Sequence, residues 1–285
     1  MLRFFTILSR APLAWLHALG AALGWIAFLA SPVFRRRFIA NARTAGYRFA
    51  QVRPGVAHIG RMVAELPRLW FGAPPAVEWE GVQAMDDAYA QGRGVLLLTP
   101  HLGCFEVVAQ SIAARQLAAH GPLTVLFRPA RKAWLAPLVA ASRNRPGLQA
   151  VPTTLAGVRQ MIKSLRQGHA VGLLPDQVPP EGMGVWAPFF GQPAYTMTLA
   201  ARLALQTGAE VVLLWGERLP AGRGYLLHCR ALRQPLAADL ESAVAQINAE
   251  MERLIRECPQ QYLWSYARYK APRAPASGGA PEAAS

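Results

Sequence analysis

The chain has 285 residues, of which 53% are hydrophobic and only 16% charged. It is more apolar than an ordinary soluble domain and long enough for one sizeable core with an appendage, a composition that favours a membrane-associated protein. The net charge is +14, yet no zinc-finger spacing or RNA-binding aromatic signature accompanies it, which argues against a nucleic-acid partner. Cys104, Cys229 and Cys258 have the spacing of neither a disulfide framework nor a metal site, so no metal is expected, and reduced thiols in a cytoplasmic compartment are.

The first long apolar stretch, Leu13 to Ala30, has no charged residue and is bracketed by Pro12 and Pro32. Eighteen helical residues would span about 27 Å, near the short end for crossing a bilayer. A cleaved signal peptide fits less well, because a cut after Ala30 would put Phe28 where a small residue is wanted. A buried core helix is the other rival, and residues 1–33 are expected to form a transmembrane or membrane-anchor segment. Arg35, Arg36, Arg37, Arg43, Arg48 and Arg53 follow it closely, and only Arg3 and Arg10 precede it. The positive-inside rule then puts the larger C-terminal part in the cytoplasm. Residues 34–75 should be basic, membrane-proximal helices. Residues 1–70 hold ten Arg against a single acid, Glu65, a balance that suits anionic lipid headgroups.

From residue 76 the pattern changes. Short apolar runs (AVEWEG, GVLLLT, LTVLFR, LQAV, AVGLLP, EVVLLW, GYLLHC) alternate with helical stretches. Two helical stretches between about 238 and 269 close the series. The expected fold is α/β over residues 76–270, a mixed, largely parallel sheet flanked by helices. Residues 271–285, rich in Pro, Gly, Ala and Ser, are expected to be a disordered tail.

The run VLLLT ends in Pro100 and His101, and Glu106 follows five residues later. The other histidines (His17, His58, His120, His169 and His228) have Ala22, Val63, Val125, Leu174 and Arg233 at that spacing. His101 falls at the carboxyl end of a predicted strand, where open α/β sheets bind ligands. On one helix i and i+5 lie about 140° apart, so the pair meets only if His101 sits in a loop before a helix that begins near Cys104 or Phe105. Pro100 and Gly103 make such a turn feasible. Glu106 would then orient the imidazole and stabilise its protonated form. The alternative reading has Glu106 answering the helix dipole and His101 as a satisfied polar group. No G-x-S-x-G is present, and Cys104 reads as a small packed thiol. A histidine–acid pair without a nucleophile suggests activation of a substrate hydroxyl and direct transfer.

His101-x4-Glu106 after an apolar strand resembles the H-x4-D/E motif of glycerolipid-type acyltransferases. Within that superfamily the chain resembles the late acyltransferases of lipid A synthesis, the lauroyl and myristoyl type. Five segments in order carry the likeness: GRGVLLLTPHLGCFE (92–106), VLFRP (125–129), GLLPDQ (172–177), GVWAPFFGQPAYT (184–196) and CPQQYLWSYARYK (258–270). The resemblance implies transfer of a fatty acyl chain from an acyl carrier protein thioester to a 3-hydroxyacyl hydroxyl of a lipid A precursor. The place would be the cytoplasmic face of the inner membrane. It implies His101 as the base and Glu106 as its partner. Arg128 would hold a phosphate of lipid A or phosphopantetheine, Asp176 would orient Arg128 or the acceptor, and Gln177 would donate a hydrogen bond nearby. GVWAPFFGQPAYT is expected to be a loop shaping an acyl tunnel, with Thr196 capping the next helix. Trp264 and Tyr266 are expected in a last helical stretch, as packing.

The chain departs from the family pattern where Cys104 and Phe105 replace the usual Asn and Trp, which removes hydrogen bonds near the site. LLPDQ stands where the glycerolipid branch has a Phe-Pro-Glu-Gly-Thr-type motif, which favours lipid A over glycerol phosphate. Two rival readings remain open: an acyltransferase with another lipid acceptor (lysophospholipid, ornithine lipid or glycolipid), and a non-enzymatic basic membrane-binding protein.

Overall fold

A computed structural model describes residues 2–127 and 145–273. Its centre is a seven-stranded sheet of order β1-β9-β8-β2-β5-β3-β4. The strands are β1 (Val77–Glu80), β2 (Val95–Leu98), β3 (Leu123–Phe127), β4 (Leu148–Pro152), β5 (Ala170–Leu173), β8 (Glu210–Arg218) and β9 (Tyr225–Ala231). All neighbours run parallel except β8 and β9. The expected α/β class with a mixed, largely parallel sheet is thus what the chain forms.

The central strand β2 is buried at every position, as a strand covered on both faces must be. Alternation sends Val95 and Leu97 into one core cluster and Leu96 and Leu98 into the other. One face is covered by α7 (Gln83–Ala90) and α8 (Phe105–His120), and the other by α9 (Leu155–Arg166), α10 (Leu199–Thr207) and α11 (Leu240–Glu257). After β2 the chain crosses to β3 and β4, returns to β5 beside β2, then leaves for β8 on β2's other side. The carboxyl ends of β2 and β5 therefore flank a topological switch point.

Two expectations change. GVWAPFFGQPAYT is a hairpin of β6 (Gly184–Phe189) and β7 (Gln192–Met197). Its turn residues Phe190 and Gly191 have φ of 47° and 71°, the left-handed pair that two-residue hairpin turns require. The residue before α10 is Thr198; Thr196 is buried in the hairpin, where it accepts from Asn248 Nδ2 and Arg268 Nη2 at 3.0 and 2.6 Å. The second helical stretch near residue 260 is also absent. Helix α11 stops at Glu257, and Pro259–Gln261 is a single 3-10 turn.

Six helices precede the sheet: α1 (Leu2–Leu8), α2 (Leu13–Ala30), α3 (Pro32–Thr44), α4 (Phe49–Val52), α5 (Pro54–Ala64) and α6 (Leu66–Phe71). Pro32, Pro54 and Pro67 each stand in a first helical turn, the place where a missing N–H costs least. Helix α2 is long and apolar enough to cross a membrane. One side of it packs on α5, with Leu16, His17, Gly20, Gly24 and Phe28 buried. A Cβ on Gly60 would collide with the Gly20 carbonyl, so the two backbones touch.

Candidate active site

His101 lies three residues past the end of β2, and Asp176 lies three past the end of its neighbour β5. The register Leu98↔Leu173 puts the two loops side by side. Asp176 is buried and takes both polar edges of His101: Oδ2 accepts the backbone N–H at 2.9 Å, and Oδ1 lies 2.7 Å from Nδ1. Tyr262 donates its hydroxyl to the same Oδ2 at 3.2 Å. Burial alone would raise the Asp176 carboxyl. The charge of His101 when protonated, together with its hydrogen bonds, outweighs it and holds the carboxyl below its ordinary value. With Nδ1–H donated to Asp176, Nε2 carries the lone pair. Gln177 Nε2 sits 3.0 Å from it, which makes the amide its donor. The His101 side chain keeps 16% of its surface exposed against 2% for Asp176, so the imidazole edge is the reachable part of the pair.

The loop that carries His101 is fixed on two sides. Gly103 has φ of 59°, and a Cβ there would strike the carbonyl of Gly216 in β8, so only glycine fits. Gly103 N–H donates to Gln261 O at 3.1 Å and Cys104 N–H to Gly216 O at 2.7 Å. Leu263 N–H returns a bond to the His101 carbonyl at 3.1 Å. The segment 258–264 therefore serves as a brace for the loop, and its non-helical backbone is what frees those groups. Tyr266 also reaches the site's floor, accepting from Val178 N–H at 3.0 Å, while Trp264 is a buried packing group.

Glu106 lies in the first turn of α8, buried, and accepts from Trp70 Nε1 at 3.2 Å. The ring nitrogens of His101 are occupied by Asp176 and Gln177, so the carboxylate on Nδ1 comes from 75 residues downstream and not from the H-x4-E spacing. The ring of Phe105 packs edge-on against the imidazole at 5.2 Å between centroids. Arg128, expected to bind phosphate, lies outside the described residues. Asp176, expected on Arg128 or the acceptor, is found on His101. Sequence reasoning missed Tyr262 and Trp70. Tyr262 stood inside a quoted segment, but nothing local said that its hydroxyl would meet Asp176. Cys104 is buried, and burial raises its thiol well above the ordinary value, which suits packing. Among the described residues no cluster of ligating side chains could hold a metal ion.

A second buried network lies beneath the loop. Glu65 Oε1 and Oε2 accept from Arg218 Nη2 and Nε at 2.6 and 2.9 Å, and Oε2 also takes Tyr225 OH at 2.9 Å and His17 Nε2 at 3.0 Å. Gln261 brackets Arg218, accepting from its N–H at 3.0 Å and donating to its carbonyl at 3.1 Å.

The model of the bacterial lipid A biosynthesis acyltransferases matches residues 2–271. The chain is 29% identical over 218 residues to the lipid A biosynthesis lauroyltransferase of Escherichia coli strain K12, covering 74% of this chain and 69% of that one. The palmitoleoyltransferase of the same organism is 25% identical over the same shares. Its myristoyltransferase is 24% identical, over 67% of this chain and 58% of its own length. With a match running from the first helix to beyond the brace segment, this chain belongs to the bacterial lipid A biosynthesis acyltransferase family.

Proposed function

We propose that this protein transfers a fatty acyl chain from an acyl carrier protein thioester to the hydroxyl of a 3-hydroxyacyl chain on a lipid A precursor. The observation that carries the proposal is the imidazole of His101, whose Nδ1–H is tied to buried Asp176 while its basic Nε2 faces a side-chain amide. That is the geometry of a general base.

In the proposed step the acceptor hydroxyl replaces the Gln177 amide at Nε2. His101 takes its proton as the oxygen attacks the thioester carbonyl. The tetrahedral intermediate then expels the phosphopantetheine thiolate, which recovers the proton from the imidazolium. Asp176 fixes the tautomer and offsets the positive charge, as the aspartate does in Ser-His-Asp sites. Tyr262 holds Asp176 in turn. Glu106 is a positioning carboxylate at the start of α8, through Trp70. Arg128 supplies a phosphate contact. Backbone N–H groups at the start of α8 are the oxyanion donors, and those of Gly103 and Cys104 are already committed. The enzyme works at the cytoplasmic face of the inner membrane, and needs no cofactor.

Lipid mass spectrometry on cells carrying the wild type, His101→Ala or no copy tests this. Loss of one secondary acyl chain from lipid A in both defective strains is expected. An unchanged lipid A with a deacylated second lipid keeps the chemistry and replaces the acceptor. No lipid change at all returns the chain to a non-enzymatic, membrane-binding role.

A further inference from the structure

Helix α2 has two unlike sides. Its buried residues recur every four positions (Leu16, Gly20, Gly24, Phe28), with the glycines against α5 and Phe28 against Phe34, Phe38 and Phe49. Its other side carries Trp15, Leu19, Leu23, Ile26 and Leu29, which are 50% to 72% exposed. No polar side chain interrupts this stripe, and half or more of each of its residues is left uncovered by the described protein. The docked side runs from Leu16 to Phe28, about 18 Å of helix. Along that length the two backbones touch at Gly20, Gly24 and Gly60. His17 adds a buried bond to Glu65, which is held by Arg218 at the end of β8.

A helix docked in this way cannot cross the hydrocarbon alone. Crossing would draw α5 in with it, together with Arg61, His58 and the Glu65–Arg218 pair, and ionisable groups at that depth are costly. The charge distribution favours another arrangement. Arg10 before α2 and Arg36, Arg37, Arg43, Arg48 and Arg53 after it are exposed, whereas Glu65, the one acid among residues 1–70, is buried. A continuous apolar stripe with exposed cations at both ends matches the surface of an anionic bilayer, tails beneath and phosphates at the rim. The N-terminal end of α2 also lies at the sheet edge that holds His101. There, a Cβ on Gly222, just past β8, would meet Ala14.

We infer that α2 is an in-plane helix: it lies in one leaflet of an anionic membrane with the Trp15–Leu29 stripe buried in lipid, and both of its ends stay on the side of the catalytic domain. The inference rests on the proposed membrane location and deepens it.

Two single-cysteine variants, Arg10→Cys and Ala40→Cys, test it in the full-length protein. The native Cys104, Cys229 and Cys258 are buried, so a membrane-impermeant maleimide reports the new sites. Both should label in inside-out inner-membrane vesicles and neither in right-side-out vesicles. Labels on opposite sides would overturn the inference and establish a crossing helix. Absence of the protein from the membrane fraction would overturn the membrane location itself, a distinct failure. Purified protein should also float with phosphatidylglycerol vesicles, and added salt should weaken the association. Leu19→Glu/Leu23→Glu, which face outward, should weaken it about a hundredfold without changing Tm. Unchanged flotation would overturn the stripe as the lipid contact, as would the variant converting a dimer to a monomer.

Discussion

Among the described residues two buried carboxylates, Glu65 and Asp176, each pair with a histidine, and the two pairs have different surroundings. In His17–Glu65 both side chains are buried, and the carboxylate also serves a guanidinium and a phenol. Its charge is matched by Arg218, which lowers the Glu65 carboxyl to about 2 against the opposing pull of burial. In His101–Asp176 the carboxylate has the imidazole, its backbone N–H and one phenol, and one imidazole edge remains reachable. The first pair is saturated and can only hold structure. The second leaves Nε2 with only the Gln177 amide beside it. The buried guanidinium on Glu65 and the reachable imidazole edge beside Asp176, more than the presence of a pair, separate a clamp from the base proposed at His101.

That distinction is broken most directly at the reactive pair. His101→Ala should lower kcat by about 10²–10⁴-fold while Tm changes little, read from acyl transfer by purified protein in detergent. Asp176→Asn should come close to it, because the amide cannot hold the same tautomer or balance the imidazolium. Glu106→Gln should cost less than Asp176→Asn, since its described partner is Trp70. The opposite order would make the H-x4-E acid the true partner of the base and remove Asp176 from that role.

How much of this was legible follows from range. Strand β2, the loop turn at Gly103 and the helix after it were readable, because apolar runs, glycine and helix starts act within a few residues. His101 was singled out by its place at a strand's carboxyl end, where the structure puts it. Its pairing with Asp176 was not legible, since that residue lies 75 positions away and only the sheet order brings β5 beside β2. The hairpin at 184–197 was hidden by its aromatic and proline content, and its Phe190-Gly191 turn was the unused signal. The brace at 258–264 was misread as helix because its apolar spacing is helical, while Pro259 and the demand for carbonyls at the His101 loop win locally.

The saturated pair gives the next largest effect, on stability. Glu65→Gln leaves the Arg218 guanidinium buried without its counter-charge and should cost about 3–5 kcal/mol, measured by denaturant unfolding at pH 7. Glu65→Leu/Arg218→Met should recover most of that loss, because both charges leave together. The folded Glu65 value lies below its ordinary 4.5, so its contribution is fully present above about 4.5 and is lost as pH falls toward about 2. The gap between wild type and Glu65→Gln should therefore close over that acid range. A constant gap would mean that the carboxylate charge is not what stabilises the network.

The smallest effect is expected at Gln177. Its amide occupies Nε2 in the absence of an acceptor, a single neutral hydrogen bond of about 1 kcal/mol. If it only keeps the place of the acceptor hydroxyl, Gln177→Ala should change kcat/KM less than tenfold, and the change should sit in KM. The base would still be oriented by Asp176 and still open at Nε2. A fall in kcat approaching that of His101→Ala would show that the amide acts during the reaction, as an oxyanion donor or as an acceptor-positioning group. The open edge of the pair would then be a three-residue device in which the carboxylate sets the base and the amide sets what the base may touch.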